Sequence, residues 1–303
     1  MRFGIWPSPA RPYSETLQLV SHCEVSGWDS VYFADHFMPN AAGPAPADGD
    51  TLECWSVLAA LAAAVPRLTL SPLVTSVTYR HPAVLAKIAA AVDTISQGRL
   101  VLGVGAGWQE NEHASYGIAL GTVKERLDRF EEAVQILVSL LREPRTTFHG
   151  TYFSVSDAPN QPAPVQDRLP LLIGGGGEKR TMRIAARHAD QWNTWASPEL
   201  LTHKVSVLRG HCEEVGRDPA EIGVSTQALL FLSTDEGWLA ERRGQAGGQP
   251  VIVGTPDEVT DIVGRYRDAG ADELILPDFT MGSMARRIDT CDLFIEEVAS
   301  HFR

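Results

Sequence analysis

Residues 170–180 read Pro170-Leu171-Leu172-Ile173-Gly174-Gly175-Gly176-Gly177-Glu178-Lys179-Arg180. A short apolar strand pattern runs into four glycines and then into a helical pattern expected over 178–188. Strand, tight turn and helix in that order are the repeating element of a parallel α/β sheet. The turn also carries chemistry. Glycine reaches positive φ and lets the backbone approach a ligand closely, and the first N–H groups of a helix point at an anion with the helix dipole behind them. Gly174, Gly175, Gly176 and Gly177 are therefore expected to cradle a phosphate, with Lys179 and Arg180 adding positive charge in the first helical turn.

The alternation extends through the chain in both directions. Strand patterns lie at 3–6, 30–34, 68–74, 100–105, 171–173, 191–194, part of 222–232, and 273–276. Amphipathic helical patterns fall between them at 14–26, 52–65, 82–96, 124–141, 178–188, 198–215, 256–269 and 283–301. Strict alternation of this kind predicts an α/β fold, a (β/α)8 TIM-like barrel with insertion segments, built by residues 1–303 as a single domain. An open doubly wound sheet would normally show a Gly-x-Gly-x-x-Gly turn after its first strand. Here the first strand runs into Trp6-Pro7-Ser8-Pro9. One segment breaks the rhythm: residues 144–169 carry a hairpin-like alternation, Thr146-Thr147-Phe148-His149-Gly150-Thr151-Tyr152-Phe153, then Pro159, Pro162 and Pro164. It reads as an insertion between the fourth helix and the fifth strand.

Composition bounds the partners. The 303 residues suit a barrel of about 250 residues plus insertions. A net charge of −12 disfavours nonspecific attraction to nucleic acid or to anionic membrane, so any anion must be held by a local site. Cys23, Cys54, Cys212 and Cys291 are widely spaced, with no neighbouring His at metal-ligand spacing, which argues against a disulfide framework and against a metal site. The amino terminus lacks the apolar core of a signal peptide, and the longest apolar run, 55–65, is too short to span a bilayer. A cytoplasmic protein with reduced thiols is expected.

In such barrels the active site lies at the carboxyl ends of the strands. Those ends carry Trp6, then Asp35-His36-Phe37, Thr75-Ser76, Gly105-Ala106-Gly107-Trp108, the four glycines, and Trp192-Asn193. Aromatic walls beside a phosphate cradle describe a pocket for a large planar phosphorylated cofactor with a small-molecule substrate next to it. His36 stands apart from most other histidines, which fall on helices or loops, and an imidazole at the mouth exchanges protons near neutral pH.

These residues carry a resemblance. Asp35-His36-Phe37, Leu73-Val74-Thr75 with Tyr79-Arg80-His81-Pro82, Gly98-Arg99-Leu100 through Gly103-Val104-Gly105-Ala106-Gly107-Trp108, Glu112-His113 and Tyr116-Gly117-Ile118 resemble the bacterial-luciferase-like superfamily. Ile173 through Arg180, Ala189-Asp190-Gln191-Trp192-Asn193 and Gly254-Thr255-Pro256-Asp257-Glu258-Val259 extend the likeness over nearly the whole chain. Within it, the chain is most similar to oxidoreductases using the deazaflavin coenzyme F420, with FMN-dependent monooxygenases as the alternative and a non-catalytic cofactor-binding barrel as a second one. The resemblance implies a cofactor ring in the mouth and its phosphate at the glycine turn. It also implies a non-proline cis peptide on strand three, carried onto this chain as Pro72–Leu73, which with Val74 supports one face of the ring. Asp35, Ala106 and Gly107 join the implied cofactor-binding set. His36 becomes the catalytic candidate for proton transfer, Asp35 its orienting group or a ring contact, and Trp6, Trp108 and Trp192 the substrate pocket. A homodimer is implied, pairing through first-half helices, and 55–65 is apolar nearly all round. Two positions depart from the pattern: sugar-phosphate dehydrogenase relatives carry a Glu where Trp108 stands, and Gln191 replaces a Gly.

Overall fold

The computed structural model describes residues 1–243 and 248–303. The first half contains β1 (Arg2–Trp6), α1 (Tyr13–Ser26), β2 (Ser30–Phe33), α2 (Cys54–Ala64), β3 (Thr69–Pro72), β4 (Thr75–Ser76), α3 (Pro82–Ser96), β5 (Leu102–Gly105), α4 (Glu110–Ser115) and α5 (Val123–Arg142). A hairpin of β6 (Thr146–His149) and β7 (Ser154–Ala158) follows, then β8 (Leu171–Gly174), α6 (Thr181–His188), β9 (Gln191–Trp195), α7 (Pro198–Val215) and β10 (Gly223–Gln227). The chain ends with β11 (Leu229–Leu232), α8 (Glu236–Ala240), β12 (Val251–Gly254), α9 (Pro256–Asp268), β13 (Glu273–Pro277) and α10 (Met284–Glu297).

Nine strands form one parallel sheet in the order β3-β2-β1-β13-β10-β9-β8-β5-β4. β3 and β4 are two halves of one interrupted strand, so the sheet fills the eight positions of a barrel. A parallel bridge between Leu70 and Leu100 brings its two edges together, and the ring is nearly closed. The (β/α)8 expectation holds, and the 146–153 pattern is the antiparallel hairpin it suggested.

Strand alternation explains the two layers of core. Phe3, Ile5, Leu274 and Leu276 point outward and pack with Leu19, Leu58, Phe130 and Phe294 of the helices. Tyr32, Leu172 and Ile275 point inward and fill the barrel, with Trp6 and Leu73 in the same cluster. Capping boxes at Thr122 with Glu125 and at Thr255 with Glu258 fix where α5 and α9 begin.

Several details differ from the sequence-based expectation. The 222–232 segment breaks at Ala228 into β10, in the barrel, and β11, which pairs with β12 outside it. α6 starts at Thr181, three residues later than expected, so Lys179 and Arg180 precede the helix instead of forming its first turn. The cis peptide is Leu73–Val74, not Pro72–Leu73. Pro72 still pairs with Phe33, and the Leu73 N–H donates to the Phe33 carbonyl at 2.8 Å, so the ladder to β2 runs through Leu73 and the chain departs only after it.

In α2, Trp55, Val57, Leu58 and Leu61 are buried inside the protein. The exposed face consists of Ser56, Ala63 and Ala64, so what the helix shows to solvent is small and, apart from Ser56, apolar. Among the described residues no helix is long and apolar enough to cross a membrane, and no group of three His, Cys, Asp or Glu side chains is placed to hold a metal ion.

Candidate active site

The strand ends open into a cavity of about 540 Å³ lined by Trp6, Asp35, His36, Leu73, Val74, Ser76, Ala106, Gly107, Trp108 and the β8 glycines, among others. Its floor owes its shape to missing side chains. A Cβ on Gly105 would lie 2.7 Å from Val74, and one on Gly174 would lie 2.8 Å from both Val74 methyls. Such separations are below van der Waals contact, so Val74 spreads across two neighbouring strands only because both carry glycine there. Gly107 combines φ of 81° with a Cβ position 2.5 Å from Ser76 Oγ.

His36 is held by a residue far away in sequence. Its Nδ1 donates to Glu112 Oε1 at 2.8 Å, and the other Glu112 oxygen accepts the Phe37 N–H at 2.7 Å. Tyr79 donates its hydroxyl to Glu112 as well. Burial pushes the Glu112 carboxyl up, but His36, the Phe37 N–H and Tyr79 outweigh it and hold it below the ordinary carboxylate range. Burial and the Glu112 charge push the Tyr79 hydroxyl far up, so it stays a donor. With Nδ1 engaged, Nε2 is the ring nitrogen left for chemistry. The His36 ring meets Trp108 edge-on, 5.5 Å between centroids at 83°.

Asp35 lines the cavity but does not bond His36. Arg80 donates to both its oxygens, at 2.7 and 3.1 Å, and the Ser76 N–H adds a third contact at 3.3 Å. Arg80 also reaches Glu53 at 2.6 Å. Burial raises the Asp35 pKa despite the Arg80 charge beside it.

At the glycine turn, Gly175 adopts φ of 125°, which L-residues rarely occupy. Its carbonyl accepts from Trp192 Nε1 at 3.0 Å, and its N–H donates to the Asn193 carbonyl at 2.9 Å. The N–H groups of Gly176 and Gly177 have no acceptor among the described residues. A Cβ on Gly176 would sit 2.9 Å from Thr194 Oγ1, and one on Gly177 2.9 Å from Thr181 Oγ1. Free N–H groups, two hydroxyls and a missing Cβ make a cradle that fits a phosphate.

The positive charge is not where the sequence suggested. Arg180 is paired with Asp128 and Glu131 of α5, at 2.6 and 3.0 Å. Lys179 is exposed, and neither lines the cavity. The cation against the turn is Lys204 of α7, which donates to the Gly176 carbonyl at 2.7 Å and to Glu178 at 2.6 Å. Of the three tryptophans, Trp6 and Trp108 line the cavity. Trp192 is fully buried in the outer core; Trp195, on the opposite face of the same strand, is the wall residue. Pro72 and Gly177 lie just outside the lining.

A mouth of this size and chemistry places the chain among the cofactor-binding (β/α)8 enzymes. More particularly, it belongs to the luciferase-like monooxygenase family, whose sequence model matches residues 1–245. An F420-dependent glucose-6-phosphate dehydrogenase from Microbacterium testaceum is 36% identical over 316 aligned positions, covering 92% of this chain and 91% of that protein. The fold matches the coenzyme F420 dependent tetrahydromethanopterin reductase from Methanopyrus kandleri with a TM-score of 0.84 at 19% identity, over 100% of this chain and 99% of that one. An F420-dependent secondary alcohol dehydrogenase also gives 0.84, at 21% identity, over 99% and 98%.

Proposed function

We propose that this chain is a coenzyme F420-dependent oxidoreductase acting on a small organic substrate, with residues 1–303 working as one barrel. The observation that carries the reading is the combination of a glycine cradle with a carboxylate-held histidine in a relative of F420-dependent dehydrogenases. Gly175, Gly176, Thr181 and Thr194 would hold the cofactor phosphate, and Leu73, Val74, Ala106 and Gly107 would back its ring. When bound, the deazaflavin supplies a hydride acceptor or donor.

The chain's own groups manage position and protons. Glu112 fixes the His36 tautomer with Nδ1–H outward from the cavity, so that Nε2 takes or returns the substrate proton. Asp35, neutralised by Arg80, keeps the Ser76 loop in place beside the ring. Trp6 and Trp108 flank the substrate. Titration by fluorescence quenching with F420 and with FMN tests the reading: much tighter F420 binding supports it, and equal or tighter FMN binding overturns it.

A homodimer in the cytoplasm completes the proposal. The small residues Ser56, Ala63 and Ala64 on the exposed face of α2 allow close approach of a second copy, and four buried, unpaired cysteines suit a reducing compartment. Sedimentation at low micromolar concentration reads the oligomeric state.

A further inference from the structure

A second cavity, of about 350 Å³, opens between the segment after β4, helix α5 and the loop of the β6–β7 hairpin. Thr78, Tyr79, Arg80, Arg129, Tyr152 and Phe153 line it, among others, and among the described residues only Tyr79 is shared with the active-site cavity. Its walls are aromatic and its charge is positive. The Arg129 guanidinium lies over Tyr152, 5.5 Å from the ring centroid, and donates to the Ala119 carbonyl at 2.9 Å. Phe153 meets the His81 ring edge-on, 5.2 Å between centroids at 84°. The His81 Nδ1 accepts the Ala83 N–H at 3.2 Å, which leaves Nε2 as the donor nitrogen of that ring.

Arg129 is the cation without a counter-charge. Arg80 is committed to Asp35 and Glu53. On α5, Asp128 is paired with Lys124 and Arg180, Glu131 with Arg180, and Glu125 with the cap at Thr122. Glu132 accepts the N–H groups of Thr151, Tyr152 and Phe153. Arg129 meets no carboxylate among the described residues, and the cavity lining contains none. A guanidinium stacks on aromatic faces and takes a carboxylate through paired N–H groups, while ring walls cover a flat body. One uncommitted unit charge suits a monoanion better than a phosphate dianion, whose second charge would lose its hydration without a partner.

We propose that this cavity is an effector site for a planar aromatic carboxylate, separate from the active site and coupled to it through residues 78–80. Each of the three lines the cavity and also holds a group on the active side. Thr78 bonds Ser76 and His113, both at 2.6 Å; Tyr79 donates to Glu112, the partner of His36; Arg80 grips both oxygens of Asp35. An occupant that orders this segment firms the supports of His36 and Asp35, and whatever binds at the mouth favours the occupant in return.

Calorimetric titration of the full chain with benzoate, neutral benzamide and puckered cyclohexanecarboxylate separates charge from flatness. Benzoate is expected to bind roughly tenfold or more tightly than benzamide and several-fold more tightly than cyclohexanecarboxylate. Arg129→Met should weaken benzoate by about tenfold and Tyr152→Leu by several-fold, both at unchanged melting temperature. Trp108→Ala, a change in the active-site cavity, should leave benzoate affinity as it was, and the F420-loaded chain should still bind it. Saturating benzoate should move the His36 imidazole resonances of the cofactor-free chain. Benzamide as tight as benzoate, wild-type affinity in Arg129→Met, displacement of benzoate by F420, or no benzoate binding at tens of millimolar overturns the site; unmoved His36 resonances overturn the coupling. Failure of F420 to bind sinks the cofactor reading instead, and the probe series, the variants and the resonances still decide the effector site.

Discussion

The smallest unit of the proposed chemistry is the Glu112–His36 pair. A carboxylate that accepts from Nδ1 leaves Nε2 free for proton transfer, so Glu112→Gln is expected to lower turnover roughly 10- to 100-fold while F420 affinity stays within a few-fold. His36→Ala should lower it by about 100-fold or more, measured with the same substrate. The pair also marks the acid limit. Because the folded protein holds the Glu112 carboxyl below its ordinary value near 4.3, its stabilising contribution is full above about pH 5 and is lost as pH falls through the folded pKa. Denaturant unfolding at pH 7 and near pH 3.5 should therefore show a shallower acid loss for Glu112→Gln than for wild type; equal slopes would remove the assignment. At this scale the sequence was only partly legible. His36 stood out because it follows a strand, but Glu112 lies 76 residues away on a short helix and carries no local mark of its role. Trp192 misled for a simpler reason. Strand β9 runs on to Trp195, and the period of two turns Trp192 to the helices and Trp195 to the cavity.

At the scale of elements, the glycine turn and α7 act together. Gly176→Val would press on Thr194, and should weaken F420 binding by tenfold or more with little change in melting temperature, both read on one sample. Lys204→Met removes the tie from α7 to the Gly176 carbonyl and should loosen the cofactor several-fold; unchanged affinity would show that the turn holds its shape alone. The eight barrel strands were readable because each buried strand is a brief apolar run between turn signals. Beyond them the β6–β7 hairpin was legible too, but other details were not. β12 is a four-residue strand that pairs with β11 off the main sheet, and α6 loses its expected first turn because Arg180 leans across to Asp128 and Glu131. The cis peptide moved by one residue because backbone pairing to Phe33, invisible in a linear pattern, extends past the proline.

Taken whole, the molecule buries α2 more deeply than its composition implied, and this changes how the proposed dimer is probed. Leu61 is fully buried, so Leu61→Glu should destabilise the chain by about 3 kcal/mol or more whatever its oligomeric state. Ala63→Glu, on the exposed face, should instead shift sedimentation from dimer to monomer at unchanged stability; an unaltered dimer would move the contact to another face. The packing of Val74 has a different reach. Three positions that are never adjacent in sequence, 74, 105 and 174, share one fixed volume, because the valine methyls occupy the space that a β-carbon on either glycine would need. Size at these positions is thus a property of the set and not of any member. Val74→Ala should leave a hole and Gly174→Ala a collision, while the two changes made together exchange the displaced carbon between strands and recover much of the loss. This barrel mouth is therefore free to be remodelled by swaps across its strands, and resistant to change at any one of them.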